Sequence, residues 1–173
     1  MAKNSVSDEF FEIHVLLRKK RFTAALRKLL VPRSVTLRRE YSHDASSRNH
    51  AWYLVGDCFF RTSNMPAALL AFRKSALAWP GDVQALWAIG NCYSELGKHR
   101  LAERFFRRAL VCASLREKPA LRFNLGNALY DQKKYESAIQ EYQKIKHRHK
   151  HVWRRAQINM KRATALKKRT SSK

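Results

Sequence analysis

Apolar residues recur along this chain every three or four positions, and from about Asn49 onward the arrangement itself returns at a longer interval. Three stretches carry it: "HAWYLVGDCFFRTSNMPAALLAFRKSALAWPGD", "LWAIGNCYSELGKHRLAERFFRRAL" beginning at Leu86, and "RFNLGNALYDQKKYESAIQEYQKI" beginning at Arg122. Aligned on Gly56, Gly90 and Gly126, which stand 34 and then 36 residues apart, each has an alanine 12 positions on (Ala68, Ala102, Ala138) and an aromatic 16 positions on (Phe72, Phe106, Tyr142). With about 100° of turn per residue, Trp52, Val55, Gly56 and Phe59 form one stripe of a first helix. The missing Cβ of each glycine lets a second helix approach, and the alanine and aromatic supply the small and large surfaces that fill the contact. Each copy is therefore predicted to be helix, turn, helix.

Element ends carry their own signals. Ser63 or Asn64 is the expected N-cap of the second helix of the first copy, with Pro66 in its first turn, and Gly97 separates the two helices of the middle copy. The third copy has Lys133 where a turn glycine is common and Lys150 where a proline would close the unit. Ahead of the copies, residues 1–31 contain "FFEIHVLLRKKRFTAALRKLL", in which Phe22, Ala25 and Leu29 echo Tyr135, Ala138 and Tyr142. This reads as a degenerate helix pair capping the stack. Residues 32–48 have turn punctuation and little periodicity, which predicts a linker with room for a short helix. Trp153, Ala156 and Met160 place a closing basic helix and tail at 151–173.

A repeat of roughly 34 residues with W-x2-L-G-x2-Y, then A-x3-F, then P, is the tetratricopeptide signature. The chain resembles that family from Asn49 to about Lys150, with copies at 49–82, 83–118 and 119–150. The resemblance implies an all-α, right-handed α-solenoid of helix–turn–helix repeats, whose first helices line a concave groove that holds a partner segment. Positions −3, +1 and +4 from each glycine lie about 115° from the buried stripe. They are Tyr53, Asp57 and Phe60, then Trp87, Asn91 and Ser94, then Phe123, Asn127 and Tyr130. The aromatics form an apolar ladder, and Asn91, Asn124 and Asn127 offer amide donors and acceptors to an extended backbone. An extended apolar segment of a protein partner suits that lining. A second reading has the groove filled by the chain itself or by a dimer mate.

Two specialised relatives sharpen the expectation. Class II type III secretion chaperones are similar in having three repeats and an aromatic-lined groove, which implies a chaperone-like adaptor. Chaperone-binding tetratricopeptide domains use a carboxylate clamp, and Asn91 and Asn124, with Arg154 or Arg155, match part of it, but Trp87 stands in place of its first lysine.

Charge adds a different class of function. The chain has 36 Lys and Arg against 13 Asp and Glu, a net +23 over 173 residues. From Tyr142 to Lys173 there are twelve basic residues and no acidic one. Arg148, Lys150, Arg154, Arg155, Lys161, Arg162, Lys167, Lys168 and Arg169 could hold RNA, DNA or an acidic protein surface, so nucleic-acid binding through a basic outer face stands as the alternative. Asp8, Glu9 and Glu12 interrupt any apolar leader near the amino terminus, and no stretch reaches the ~18 apolar residues of a bilayer span. A soluble, cytoplasmic protein without membrane insertion is expected. Cys58, Cys92 and Cys112 are odd in number and lack CxxC spacing, which predicts neither disulfide nor metal. No nucleophile, phosphate-loop, zinc or dinucleotide motif occurs, so neither an enzyme nor a cofactor is expected. His147, His149 and His151 alternate, which on a helix puts neighbours on opposite sides.

Overall fold

The computed structural model describes residues 9–171, so Asp8 and Lys173 lie outside the described residues. The chain divides into two compact units, Met1–Pro80 and Gly81–Lys173. The first holds α1 (Phe11–Arg18), α2 (Phe22–Leu29), α3 (Ala45–Arg61) and α4 (Met65–Ala78). The second holds α5 (Val83–Glu95), α6 (His99–Cys112), α7 (Lys118–Asp131), α8 (Tyr135–Gln143) and α9 (Lys150–Ser171). Among the described residues the only β pairing is an isolated antiparallel bridge between Leu30 and Leu37.

Local chemistry sets the helix starts. The Asp44 side chain accepts from Ser47 N at 2.8 Å, so α3 begins at Ala45, inside the segment expected to be linker. The rest of that segment carries a single 3-10 turn at Arg39–Tyr41. Of the two cap candidates before α4, Asn64 caps, accepting from Ala67 N at 3.3 Å, while Ser63 occupies the turn. Asp82 caps α5. Glu117 instead folds back on Ser114, accepting from its N at 2.9 Å and its Oγ at 2.6 Å.

The turns inside the helix pairs share one geometry. Lys20, Ser63, Gly97 and Lys133 each lie two residues past a helix end with φ of 56°, 60°, 68° and 62°. At each, the residue after it donates five residues back: Arg21 N to Leu16 O, Asn64 N to Phe59 O, Lys98 N to Tyr93 O and Lys134 N to Leu129 O. This is the Schellman stop, in which a left-handed residue lets the chain satisfy the last carbonyls of the helix. Only one of the four is glycine, so three side chains accept a conformation that costs an ordinary residue roughly 1 kcal/mol.

The second helix of each pair packs where the glycine exposes backbone. A Cβ on Gly56 would lie 2.5 Å from the Phe72 ring, one on Gly90 would lie 2.5 Å from the Phe106 ring, and one on Gly126 would overlap the Tyr142 ring. The aromatic at +16 thus sits on the glycine itself, flanked by Ala68, Ala102 and Ala138, all fully buried. In the first unit Ser75 adds a polar tie, with its Oγ donating to Asn49 O at 2.9 Å and accepting from Asn49 Nδ2 at 3.0 Å. In the second, the Glu103 carboxylate on α6 accepts from Arg107, from Gln132 Nε2 at 2.9 Å and from Lys134 Nζ at 3.0 Å. Burial alone would raise the Glu103 carboxyl, but those hydrogen bonds outweigh it and hold the group below its ordinary value.

Candidate partner-binding surface

In the second unit the first helices are α5 and α7, and their −3, +1 and +4 positions can be followed residue by residue. Trp87 is half-buried, with its indole Nε1 enclosed and unpaired. Asn91 Oδ1 accepts from Asn124 Nδ2 at 3.0 Å, which joins α5 to α7. Asn127 Oδ1 accepts twice, from Tyr142 OH at 2.8 Å and from Asn159 Nδ2 at 2.9 Å. Tyr130 meets Tyr135 edge-on at 5.6 Å between ring centroids.

Phe123 departs from the open ladder expected of it. It is 5% exposed, with the Tyr142 ring 6.1 Å away and the Arg155 guanidinium 4.6 Å from its ring centroid. The cover comes from α9, whose Ala156 and Ala163 are fully buried. The asparagines differ from expectation as well. Instead of leaving every amide for a partner backbone, Asn91, Asn124 and Asn127 spend an oxygen or nitrogen on one another's helices and on Asn159.

α9 therefore does more than close the end. With Ile158 placed where the glycines stand, Arg155, Asn159 and Arg162 fall at −3, +1 and +4. The Asn159–Asn127 bond spans 32 residues and the Asn124–Asn91 bond 33, close to the repeat period. The helix takes the place of the first helix of a further copy. Asn159 and Arg162 were missed as lining residues, and their spacing from Asn127 and Tyr130 was the available signal.

Five of these positions converge. Ser94, Asn127, Tyr130, Asn159 and Arg162, with Asp131, line a cleft of about 310 Å3. Its chemistry is mixed: two amides, a hydroxyl, a phenol, a carboxylate and a guanidinium.

In the first unit the corresponding residues lie on α3. Tyr53 packs against the Phe72 ring at 5.5 Å, Phe60 is half-buried, and Asp57 binds Arg61 through both oxygens at 2.9 and 2.8 Å. The ion pair neutralises the one acidic group among the expected lining residues.

The cations of the carboxy-terminal region do not form one face. Arg155 covers Phe123, Arg162 enters the cleft, and Lys167 pairs with Glu136. Arg148 contacts His149, while Arg154, Lys161, Lys168 and Arg169 are exposed, as is Lys150 at the start of α9. No group of three or more His, Cys, Asp or Glu residues that could hold a metal occurs among the described residues. No described helix is long and apolar enough to cross a membrane. Burial pushes the Cys58 and Cys92 thiols up to about 12, while Cys112 is exposed.

Profiles described as tetratricopeptide repeat match residues 14–82 and 113–150, and a second such profile matches 83–110. The chain belongs to the tetratricopeptide repeat family. The first match includes α1 and α2, so the family pattern extends upstream of Asn49. Solved structures give the same fold class, an all-α solenoid of helix–turn–helix repeats. The first TPR of Spaghetti (RPAP3), bound to the HSP90 peptide SRMEEVD, superposes with a TM-score of 0.65 at 18% identity, covering 72% of this chain and 97% of that one. MamA (41-end) from Desulfovibrio magneticus RS-1 gives 0.66 at 15% identity over 97% and 98%. MamA from MSR-1 gives 0.60 at 16% identity over 94% and 96%. No curated protein sequence matches the chain.

Proposed function

We propose that this chain is a non-enzymatic adaptor, chaperone-like in action, that holds an extended segment of a protein partner along the inner faces of its first helices. The observation that carries this reading is the convergence of Ser94 of α5 with the +1 and +4 residues of α7 and α9 on one cleft. Trp87, two turns before Ser94 on the same helix face, supplies an apolar seat for a partner side chain. The cleft, with Arg162 and Asp131 at its rim, takes a polar group of the same segment. Tyr53, Asp57 and Phe60 offer the equivalent surface on α3. The solved Spaghetti domain, which carries a bound peptide, supports the reading by analogy of fold.

The test is capture of partners from the native host by the purified chain, with nuclease present. Trp87→Ala should weaken capture by ~30-fold or more, the effect of losing a central aromatic anchor worth ~2 kcal/mol. Ser94→Trp, which fills the cleft, should do the same without lowering the melting temperature. Normal capture by both folded variants would refute the proposal.

Nucleic-acid binding is the second reading, favoured by the absence of any acidic side chain along α9. Binding of that kind would be electrostatic, and with ~6 phosphates neutralised it should fall by ~10³-fold between ~50 and ~200 mM salt. Capture that nuclease abolishes would favour it over the adaptor.

A further inference from the structure

The largest cavity described lies in the first unit and shares no lining residue with the surfaces invoked above. It encloses about 850 Å3 between α2, the loop that follows it and Phe59 of α3. Its floor and walls are apolar: Leu26, Leu30, Val31, Pro32, Val35 and Phe59. Val31 and Val35 remain 41% and 56% exposed, so the loop holds two β-branched side chains in water at the mouth of the groove. Such exposure is unfavourable unless something covers it.

The loop is held in place. Leu30 and Leu37 form a bridge, Val31 N donates to Thr36 O at 2.9 Å, and Arg38 N donates to Leu29 O at 2.9 Å. Lys74 Nζ, reaching from α4, donates to Val35 O at 3.2 Å. At its tip Arg33 adopts φ 60°, a left-handed conformation that a side chain rarely takes. The groove is therefore preformed, which lowers the ordering cost of binding.

Its charge has one sign. Arg27, Arg33 and Arg38 line it, and no Asp or Glu does. Arg38 Nη2 donates to Arg27 O at 3.2 Å, yet its Nε is buried without a hydrogen-bond partner. The exposed Arg33 guanidinium beside apolar walls suits a carboxylate, which accepts from such a fork in charge-assisted bonds.

From these features we infer that the groove between α2 and the 31–38 loop is a second docking site, for an acidic, amphipathic segment of a partner protein. Leucine-like side chains of that segment cover Val31, Val35 and Phe59, and its carboxylates meet Arg33 and Arg38. This site is independent of the cleft on α5, α7 and α9.

The experiment measures fluorescence anisotropy of a capped, labelled peptide of alternating leucine and glutamate on the full chain. Two control peptides replace every glutamate with glutamine or every leucine with serine. Saturable binding is expected, and Val35→Glu or Arg33→Gln, both exposed and remote from the core, should each weaken it at least tenfold with melting unchanged. Arg104→Gln, at an exposed position of α6, should leave it unaltered, and both control peptides should bind at least tenfold more weakly. Absence of binding overturns the inference, as does equal weakening by Arg104→Gln or tight binding of the serine peptide, since either means attraction to net charge alone. An oligonucleotide that binds with the same dependence on Val35 and Arg33 would make this a phosphate site and overturn it. So would concentration-dependent dimerisation that Val35→Glu abolishes, which would give the groove to a second copy.

Discussion

Replacing Gly126 with alanine pits two effects of known size against each other. Gly126 lies inside α7, where alanine should gain about 1 kcal/mol of helix propensity. The new methyl, however, would lie 2.8 Å from Tyr142 Cδ1 and closer still to the adjacent ring carbon. Tyr142 cannot swing away easily, because it is fully buried and its hydroxyl donates to Asn127 Oδ1 at 2.8 Å. Overpacking of this kind costs about 1–3 kcal/mol, and a loosened hydroxyl bond adds about 0.5–1.5 kcal/mol. The balance is a net loss of about 0.5–3.5 kcal/mol. Urea unfolding followed by circular dichroism would measure it, with the transition slope checked because two compact units need not unfold together. Tyr142→Ala provides the internal test. Alone it should cost about 3–5 kcal/mol, but in the Gly126→Ala background it should cost at least ~1 kcal/mol less, because the methyl no longer collides. Additive costs, or a Gly126→Ala variant stabilised by about 1 kcal/mol, would refute the glycine–aromatic contact as the reason for the repeat.

Two further outcomes follow from the turns and from Glu103. Lys133→Gly should raise stability by up to ~1 kcal/mol in the same unfolding assay, since glycine takes φ 62° without strain, whereas Lys134→Gly, next to it but outside the left-handed region, should not. Glu103→Gln should lose about 1 kcal/mol at neutral pH, the value of its charge-assisted bonds after allowance for exposed Lys134 and Arg107. The Glu103 carboxyl lies below its ordinary value in the folded chain, so its stabilisation is complete above ~4.5 and fades as pH falls through the lower folded value. Melting temperatures of wild type and variant should therefore converge in acid.

How much of this could be read from residues alone depends on where each determinant lies. The pairing of Gly56 with Phe72, Gly90 with Phe106 and Gly126 with Tyr142 was legible, because a fixed offset in sequence becomes a fixed contact once two helices are joined by a short turn. The start of α3 at Ala45 was harder, since Asp44 is one polar residue among several and only its bond to Ser47 singles it out. The covering of Phe123 was not legible at all in the first helices. It depends on α9, where Ile158 replaces the glycine and Arg155 and Arg162 replace aromatics, so the copy is disguised as a basic tail. The groove on the 31–38 loop was equally hidden, because it arises from a bridge and a left-handed arginine in a segment without periodicity.

The bonds Asn91–Asn124 and Asn127–Asn159 also bear on how such a chain could lengthen. Each joins a first helix to the next one at nearly the same separation in sequence, so each contact between neighbours includes one amide from either side. A duplication of residues 83–118 would carry only one half of the Asn91–Asn124 pair with it, because the counterpart of Asn124 in that copy is Ala88. The inserted copy would present its Asn91 to Asn124, but the original Asn91 would face Ala88 of the insert, so an Ala88→Asn change there is what would restore the second bond.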